Sequence, residues 1–294
     1  MVGNKGMLGT EVERLLREGL PGDLQVGGFD YAATDLDVDI TSPDAVRAFI
    51  EEHNADWIIN CAAYTAVDKA EEEEELARRI NADGPENLAR AIAGRGRLIH
   101  VSTDYVFDGT ATAPIPEDTP PHPLGAYGRT KAEGERRIAA ATDAYFIVRT
   151  AWLYGVHGKN FVGTMQRLMA ERDEICVVVD QYGSPTYAVD LAEALVRLVA
   201  CDCREYGAYH FTNAGETSWH GFALAIREIA TERGILRKEC EVTPIPSSEY
   251  PTPAKRPAYS VLATDRIARV TRMRIPHWRD GLGRYLEQLE KEQR

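Results

Sequence analysis

Short apolar runs alternating with amphipathic helical stretches predict an α/β fold, a parallel sheet covered on both faces by helices. Two further observations sharpen this. Gly3-Asn4-Lys5-Gly6-Met7-Leu8-Gly9 stands directly ahead of a helical stripe. Farther on, Leu98-Ile99-His100-Val101-Ser102-Thr103-Asp104-Tyr105 runs as an apolar strand that ends in hydroxyls and a carboxylate.

Taken in order, Leu8, Val12, Leu15 and Leu16 fall at i, i+4, i+7 and i+8, one apolar helical face that Gly19 closes. Glycines ahead of a helix let backbone amides approach a diphosphate, whose charge the helix N-terminus favours. The same residues would also serve as an ordinary Gly-rich turn. Strand-like runs follow at 24–29, 57–61, 98–102 and 145–149, with helical stretches at 43–54, 72–93 and 126–141. A Rossmann-like doubly wound sheet needs a strand immediately before its glycine turn, yet only Met1-Val2 precede Gly3. The first, central strand is therefore apparently truncated. Either the start is assigned too late or most of that strand is lacking, and the chain is expected to be less stable than relatives that have it.

Residues 1–155 read as the Rossmann-like, nucleotide-binding domain and 156–294 as mainly a smaller C-terminal lobe. Prolines 244, 246, 251, 253 and 257 mark a long loop rather than a linker. A helix at 190–200 and a strand at 209–213 are expected to bring about 188–214 back to the first sheet. The second lobe is then interleaved with the first, and the cleft between them is the expected ligand site.

At 294 residues with 44% hydrophobic and 27% charged content, the composition is that of a globular protein with a large core. No apolar run approaches the roughly 18 residues of a membrane span, and no signal peptide is read ahead of the glycine motif. Cys61, Cys176, Cys201, Cys203 and Cys240 are odd in number and lack paired zinc spacing, which points to reduced thiols and a cytoplasmic protein. A net charge of −12 argues against nucleic acid as a partner. Anionic ligands would need local exceptions, for which Lys5, Lys131, Arg149, Lys159 and Arg256 are available. The acidic run 71–75 reads as a solvated first helical turn.

Tyr127 and Lys131 stand i and i+4 on the helix at 126–141 and so share a face. A free phenol has a pKa of about 10, and a nearby ammonium favours the phenolate. Alone, the pair also fits a solvated lysine beside a half-buried tyrosine. Combined with the glycine turn and the strand-end Ser/Thr, it resembles the extended short-chain dehydrogenase/reductase superfamily. The match narrows through Asn60-Cys61-Ala62-Ala63-Tyr64-Thr65-Ala66-Val67-Asp68, Ser102-Thr103-Asp104-Tyr105-Val106-Phe107-Asp108-Gly109, Arg149-Thr150-Ala151-Trp152-Leu153-Tyr154-Gly155 and Arg256-Pro257-Ala258-Tyr259-Ser260. These resemble the dTDP-4-dehydrorhamnose reductase family over nearly the whole chain.

That resemblance implies NADPH- or NADH-dependent reduction of the 4-keto group of dTDP-4-dehydro-L-rhamnose, giving dTDP-L-rhamnose. Tyr127 would be the proton donor, Lys131 would lower its pKa and hold the nicotinamide ribose, and Thr103 would hydrogen-bond the carbonyl oxygen. Ser102 is the neighbouring hydroxyl, pointing the opposite way along the strand. Nucleotide-sugar dehydratases carry an Asp-Glu pair after the Thr; Tyr105 in the second position disfavours dehydration. Gly3, Lys5, Gly6, Met7, Leu8, Asp30, Asp39, Ile40, Ala62, Ala63 and Tyr64 would complete the cofactor site. Asp30 is read as the acidic end of the second strand, favouring NADH, with Lys5 as the counter-argument. Asp104, Tyr105, Val106, Trp152, Asn160 and Arg256 would contact the dTDP-sugar, Trp152 against its apolar side and Arg256 on its diphosphate. Phe161 and Gln181 are further possible contacts. A homodimer and a magnesium site are known in the family, but no cluster here reads as metal ligands. The alternatives are a reductase or epimerase of another nucleotide sugar, or a non-catalytic dinucleotide-binding regulatory subunit.

Overall fold

The computed structural model describes residues 1–20 and 26–292. Its strands are β1 (Trp57–Asn60), β2 (Arg97–Thr103), β3 (Tyr145–Thr150), β4 (Leu153–Tyr154) and β5 (Glu174–Val178). The rest are β6 (Tyr182–Gly183), β7 (Thr186–Tyr187), β8 (Gly207–His210), β9 (Thr217–Ser218) and β10 (Glu241–Ile245). The helices begin with α1 (Met7–Glu18), α2 (Pro43–His53), α3 (Glu74–Arg78), α4 (Gly84–Ile92) and α5 (Ala126–Ala141). They continue with α6 (Phe161–Glu171), α7 (Ala188–Ala200), α8 (Trp219–Glu232), α9 (Asp265–Thr271) and α10 (Trp278–Glu292).

The main sheet runs β1-β2-β3-β8, all parallel. Its strands are apolar on both faces because helices cover both. Ile59, Ile99, Phe146, Val148 and Tyr209 pack with Leu8, Val12, Leu15 and Leu16 of α1 and with α7. Their neighbours Ile58, Leu98 and Ile147 point the other way, onto Val46 and Ile50 of α2, Leu88 and Ile92 of α4 and Ile138 of α5. A second core joins α6, α8 and α10 to β5 and β10 around Phe222, Tyr154 and Leu282. β10 lies parallel to β5, and β8 carries the chain back to the main sheet beside β3.

The expected helix at 72–93 runs from Glu74 to Ile92, with a π-helical turn, Arg79–Asp83, between α3 and α4, which opens on Gly84-Pro85. Proline lacks the N–H that would continue the regular ladder, so the helix widens there. The acidic run is also not simply solvated: Glu71 accepts the Ala126 N–H at 2.8 Å, Glu73 the Tyr64 hydroxyl at 2.6 Å, and Glu74 pairs with Arg129 at 2.8 Å. It anchors the start of α5.

The place of the first strand is held by Met1 and Val2. Val2 N–H donates to Ile59 O and Cys61 N–H to Val2 O, while Thr34 N–H donates to Met1 O on the other side. Val2 therefore forms single parallel bridges to Asn60 and to Thr34. Of the run expected as a strand at 24–29, Leu24 and Gln25 lie outside the described residues, and 26–29 carries one bridge but no strand. The extended segment pairs instead at Thr34.

Candidate active site

β2 delivers Thr103 to the carboxyl end of the sheet, where a 3-10 turn (Asp104–Val106) follows. α5 packs onto that turn at Gly128, where an added Cβ would stand 2.1 Å from Tyr105 O. That close approach brings Tyr127 to Thr103. Thr103 is the hydrogen-bonding side chain that bears on the Tyr127 phenol, and the Tyr127 ring meets Tyr105 edge-on at 5.5 Å. Ser102, one residue back, turns away and donates to Glu135, itself paired with Arg149 at 2.7 Å. Arg149 is thus half of a buried ion pair, not a ligand cation.

Lys131 is 1% exposed, and its Nζ donates to Val101 O at 2.7 Å and lies 3.1 Å from His100 Nε2. Burial brings its pKa down to about 8. Burial also pushes the Tyr127 phenol up to about 12, opposite to the expected acidification. The amine, turned to Val101 O and His100 on β2, is not among the groups that act on the phenol.

The glycine turn fits a diphosphate. Gly3 has φ +80°, and a Cβ there would stand 2.6 Å from Ala62 N; at Gly9 it would stand 1.9 Å from Gly3 O. Only glycine tolerates both, and the turn lies against the end of β1 at Ala62. Gly6 caps α1 without any side-chain bond, so the first amides of α1 are open to an anion. Lys5 is exposed at the same turn, Leu8 is core, and Met7 reaches across to Gly155. Ala63 is half-buried, and Tyr64 N–H donates to Asn81 Oδ1 at 2.8 Å.

Asp30 does not stand beside the glycine turn. Since Thr34 is the residue that pairs beside Gly3, Asp30 sits four positions back, lining a cavity of about 510 Å³ at the opposite end of the sheet with Met1, Tyr31 and Trp57. Asp35 is the first acid past the bridge. Exposed Asp39 accepts from Thr41 N–H, whereas Ile40 is buried against Gly84.

Between the lobes a cavity of about 560 Å³ is lined by Tyr105, Phe161, Gln181, Trp219, Tyr250 and Arg256, among others. Trp152 stacks on Trp219 with ring centroids 3.5 Å apart and holds φ +48°, a conformation bulky residues rarely adopt. Arg256 pairs with Asp68 at 2.7 Å and lies over the Tyr105 ring. Asp104 is buried with Oδ1 accepting from Thr103 at 3.0 Å, while Oδ2 has no partner; burial pushes its carboxyl up to about 6. Two expected sugar contacts are otherwise engaged. Val106 is fully buried among Phe107, Ile115 and Leu262, because the 3-10 turn rotates it into the core. Asn160 caps α6, accepting from Gly163 N–H at 3.0 Å and donating to Gly155 O at 2.7 Å. Lys159 is exposed.

Trp219, Tyr250 and His100 were not singled out from the sequence. Trp219 and Tyr250 lie in the second lobe, where only the tertiary fold reveals the shared wall. His100 carried a signal, a polar residue inside an apolar strand. Among the described residues no group of three or more His, Cys, Asp or Glu could hold a metal ion. Nor is any helix long and apolar enough to cross a membrane.

The RmlD substrate binding domain model matches residues 1–291. A dTDP-4-dehydrorhamnose reductase from Aggregatibacter actinomycetemcomitans is 39% identical over 96% of either chain. A probable dTDP-4,6-dihydroxy-2-methyloxan-3-one 4-ketoreductase from Streptomyces antibioticus is 40% identical over 96% of this chain and 92% of its own. The crystal structure of a Bacillus anthracis dTDP-4-dehydrorhamnose reductase in complex with NADP superposes with a TM-score of 0.87, at 37% identity over 98% of this chain and 97% of that one. With glycine turn, Thr103, Tyr127 and Lys131 gathered at one end of a parallel sheet, the chain belongs to the RmlD substrate-binding-domain family, that of the dTDP-4-dehydrorhamnose reductases.

Proposed function

We propose that this chain reduces the 4-keto group of dTDP-4-dehydro-L-rhamnose with NAD(P)H, giving dTDP-L-rhamnose. The observation that carries the reading is the meeting of Tyr127 and Thr103 at the carboxyl end of β2, between an open helix N-terminus and an aromatic cavity. Bound at the glycine turn, NAD(P)H supplies the hydride. Tyr127 gives its phenolic proton to the carbonyl oxygen as charge develops there, and Thr103 donates a hydrogen bond to the same oxygen. With its pKa pushed up by burial, the phenol is protonated before reaction and gives its proton only as the carbonyl oxygen becomes strongly basic. Trp152 and Trp219 offer a flat apolar wall for the sugar, and Arg256, half neutralised by Asp68, faces the diphosphate. Exposed Lys5 favours a 2′-phosphate at the glycine turn. The reading also covers a cytoplasmic site of action, in keeping with five unpaired thiols, and a homodimer, which sedimentation would measure.

The test is the purified protein with dTDP-4-dehydro-L-rhamnose and NADPH or NADH, followed by nicotinamide absorbance. Turnover that falls on the order of 10²–10⁴-fold in Tyr127→Phe is expected. No oxidation, or a Tyr127→Phe protein as fast as wild type, would remove the reading. The Streptomyces antibioticus relative acts, by its name, on a different dTDP keto-sugar, so that substrate belongs in the same assay. Preference for it would keep the chemistry and change the sugar.

A further inference from the structure

Beneath the catalytic face lies a buried hydrogen-bond chain whose direction can be fixed from one end. Ala62 N–H donates to Asn60 Oδ1 at 3.0 Å, and a backbone N–H can only donate, so Asn60 must turn its NH₂ toward His100 Nδ1, 3.0 Å away. Asn60 and His100 are both fully buried, and burial holds the imidazole neutral. A neutral ring carries one proton. With Nδ1 accepting from Asn60, that proton sits on Nε2 and points at Lys131 Nζ, 3.1 Å away. An ammonium has no lone pair to receive it; an amine does, and can still donate to Val101 O at 2.7 Å.

We infer that His100, oriented by Asn60, is a positioning residue that sets the ionisation of Lys131, favouring the amine until acceptor oxygens such as ribose hydroxyls draw the group into its ammonium form. This rests on the reading of Lys131 as part of the active site. Of the other titratable groups near Lys131, Glu135 and Cys61 act in the opposite sense. Cys61, beyond β1, is held as the neutral thiol with its pKa pushed up to about 12, and Tyr127 on α5 is a neutral phenol. The Met1 amine lies beyond Cys61 with its own pKa lowered by burial. Glu135, one turn along α5, favours the ammonium, but its oxygens are engaged by Arg149 and Ser102. The lowered pKa of Lys131 agrees in direction with the chain.

Two variants reverse the chain in different ways. His100→Gln can present a carbonyl oxygen to Lys131, and Asn60→Asp draws the imidazole proton to Nδ1 and leaves the Nε2 lone pair facing the lysine. The readout is the ¹³Cε shift of Lys131 against pH in labelled protein, the resonance being identified by its loss in Lys131→Met. Wild type is expected to titrate near the lowered value of about 8. Either variant that folds is expected to titrate at least one unit higher, about tenfold more ammonium at alkaline pH. The alkaline limb of kcat/KM should move with it. A wild-type Lys131 that titrates like a free lysine, or variants that leave its midpoint unchanged, would overturn the inference. Full activity in Lys131→Met would instead remove the role of Lys131 in catalysis while leaving the titration result to stand.

Discussion

Asp104 gives a pH dependence whose sign can be worked out. Its carboxyl is raised from 3.8 to about 6 by burial, so between those values the folded protein binds a proton that the unfolded chain has released. Stability from this group is therefore fully present below about pH 4 and lost as pH rises through 6. Compared with Asp104→Asn, wild type should lose about 3 kcal/mol across that window, an order-of-magnitude figure read from denaturant melts at several pH values. Parallel curves for the two proteins would contradict it. At this scale the sequence was a good guide to chemistry and a poor one to direction. Thr103, Tyr127 and Lys131 were singled out by the family resemblance; spacing alone says only that Tyr127 and Lys131 share a helix face. That the lysine turns to His100 and Val101 was not legible, because it depends on tautomers and depth of burial. Asp30 failed for want of register: without strand pairing, nothing in residues 26–35 says which acid stands beside the glycine turn.

Elements were read well where periodicity is clean. α5 occupies the expected 126–141, and α2 ends one residue short of the expected 54, closed by Asn54 in the left-handed conformation. The Glu-rich run gave no such clarity, since its partners, Ala126 N–H, Tyr64 and Arg129, are distant or come from another helix. Asn160 shows how a cap serves the site. It ties the 155–158 turn to α6 and thereby sets Phe161 beside Trp219, whose ring centroids are 4.6 Å apart. Asn160→Ala is expected to cost about 1 kcal/mol of stability and to raise the KM for the dTDP-sugar with little change in kcat. A fall in kcat with unchanged KM would place Asn160 in the chemistry instead.

Across the whole molecule, the sheet is the frame on which both lobes hang. Beyond β1, one bridge on either side of Val2 joins Thr34 to Asn60, above a cavity of about 510 Å³ lined by Tyr31, Phe49, Trp57 and Ile58. Ile59 O faces Val2, and by alternation the backbone groups of Trp57 face the cavity below it. The doubly wound class was legible from alternation alone, whereas the pairing of β10 with β5, sixty-odd residues apart, left no local mark.

One phenol and one hydroxyl should hold the oxygen of a sugar between the glycine turn and the aromatic wall. A crystal structure with NADP and dTDP-L-rhamnose bound would show it. Sugar O4 is expected within about 3 Å of both the Tyr127 and Thr103 hydroxyls, with the dinucleotide diphosphate on the first amides of α1. A sugar seated away from Tyr127, or a diphosphate elsewhere than the glycine turn, would contradict it.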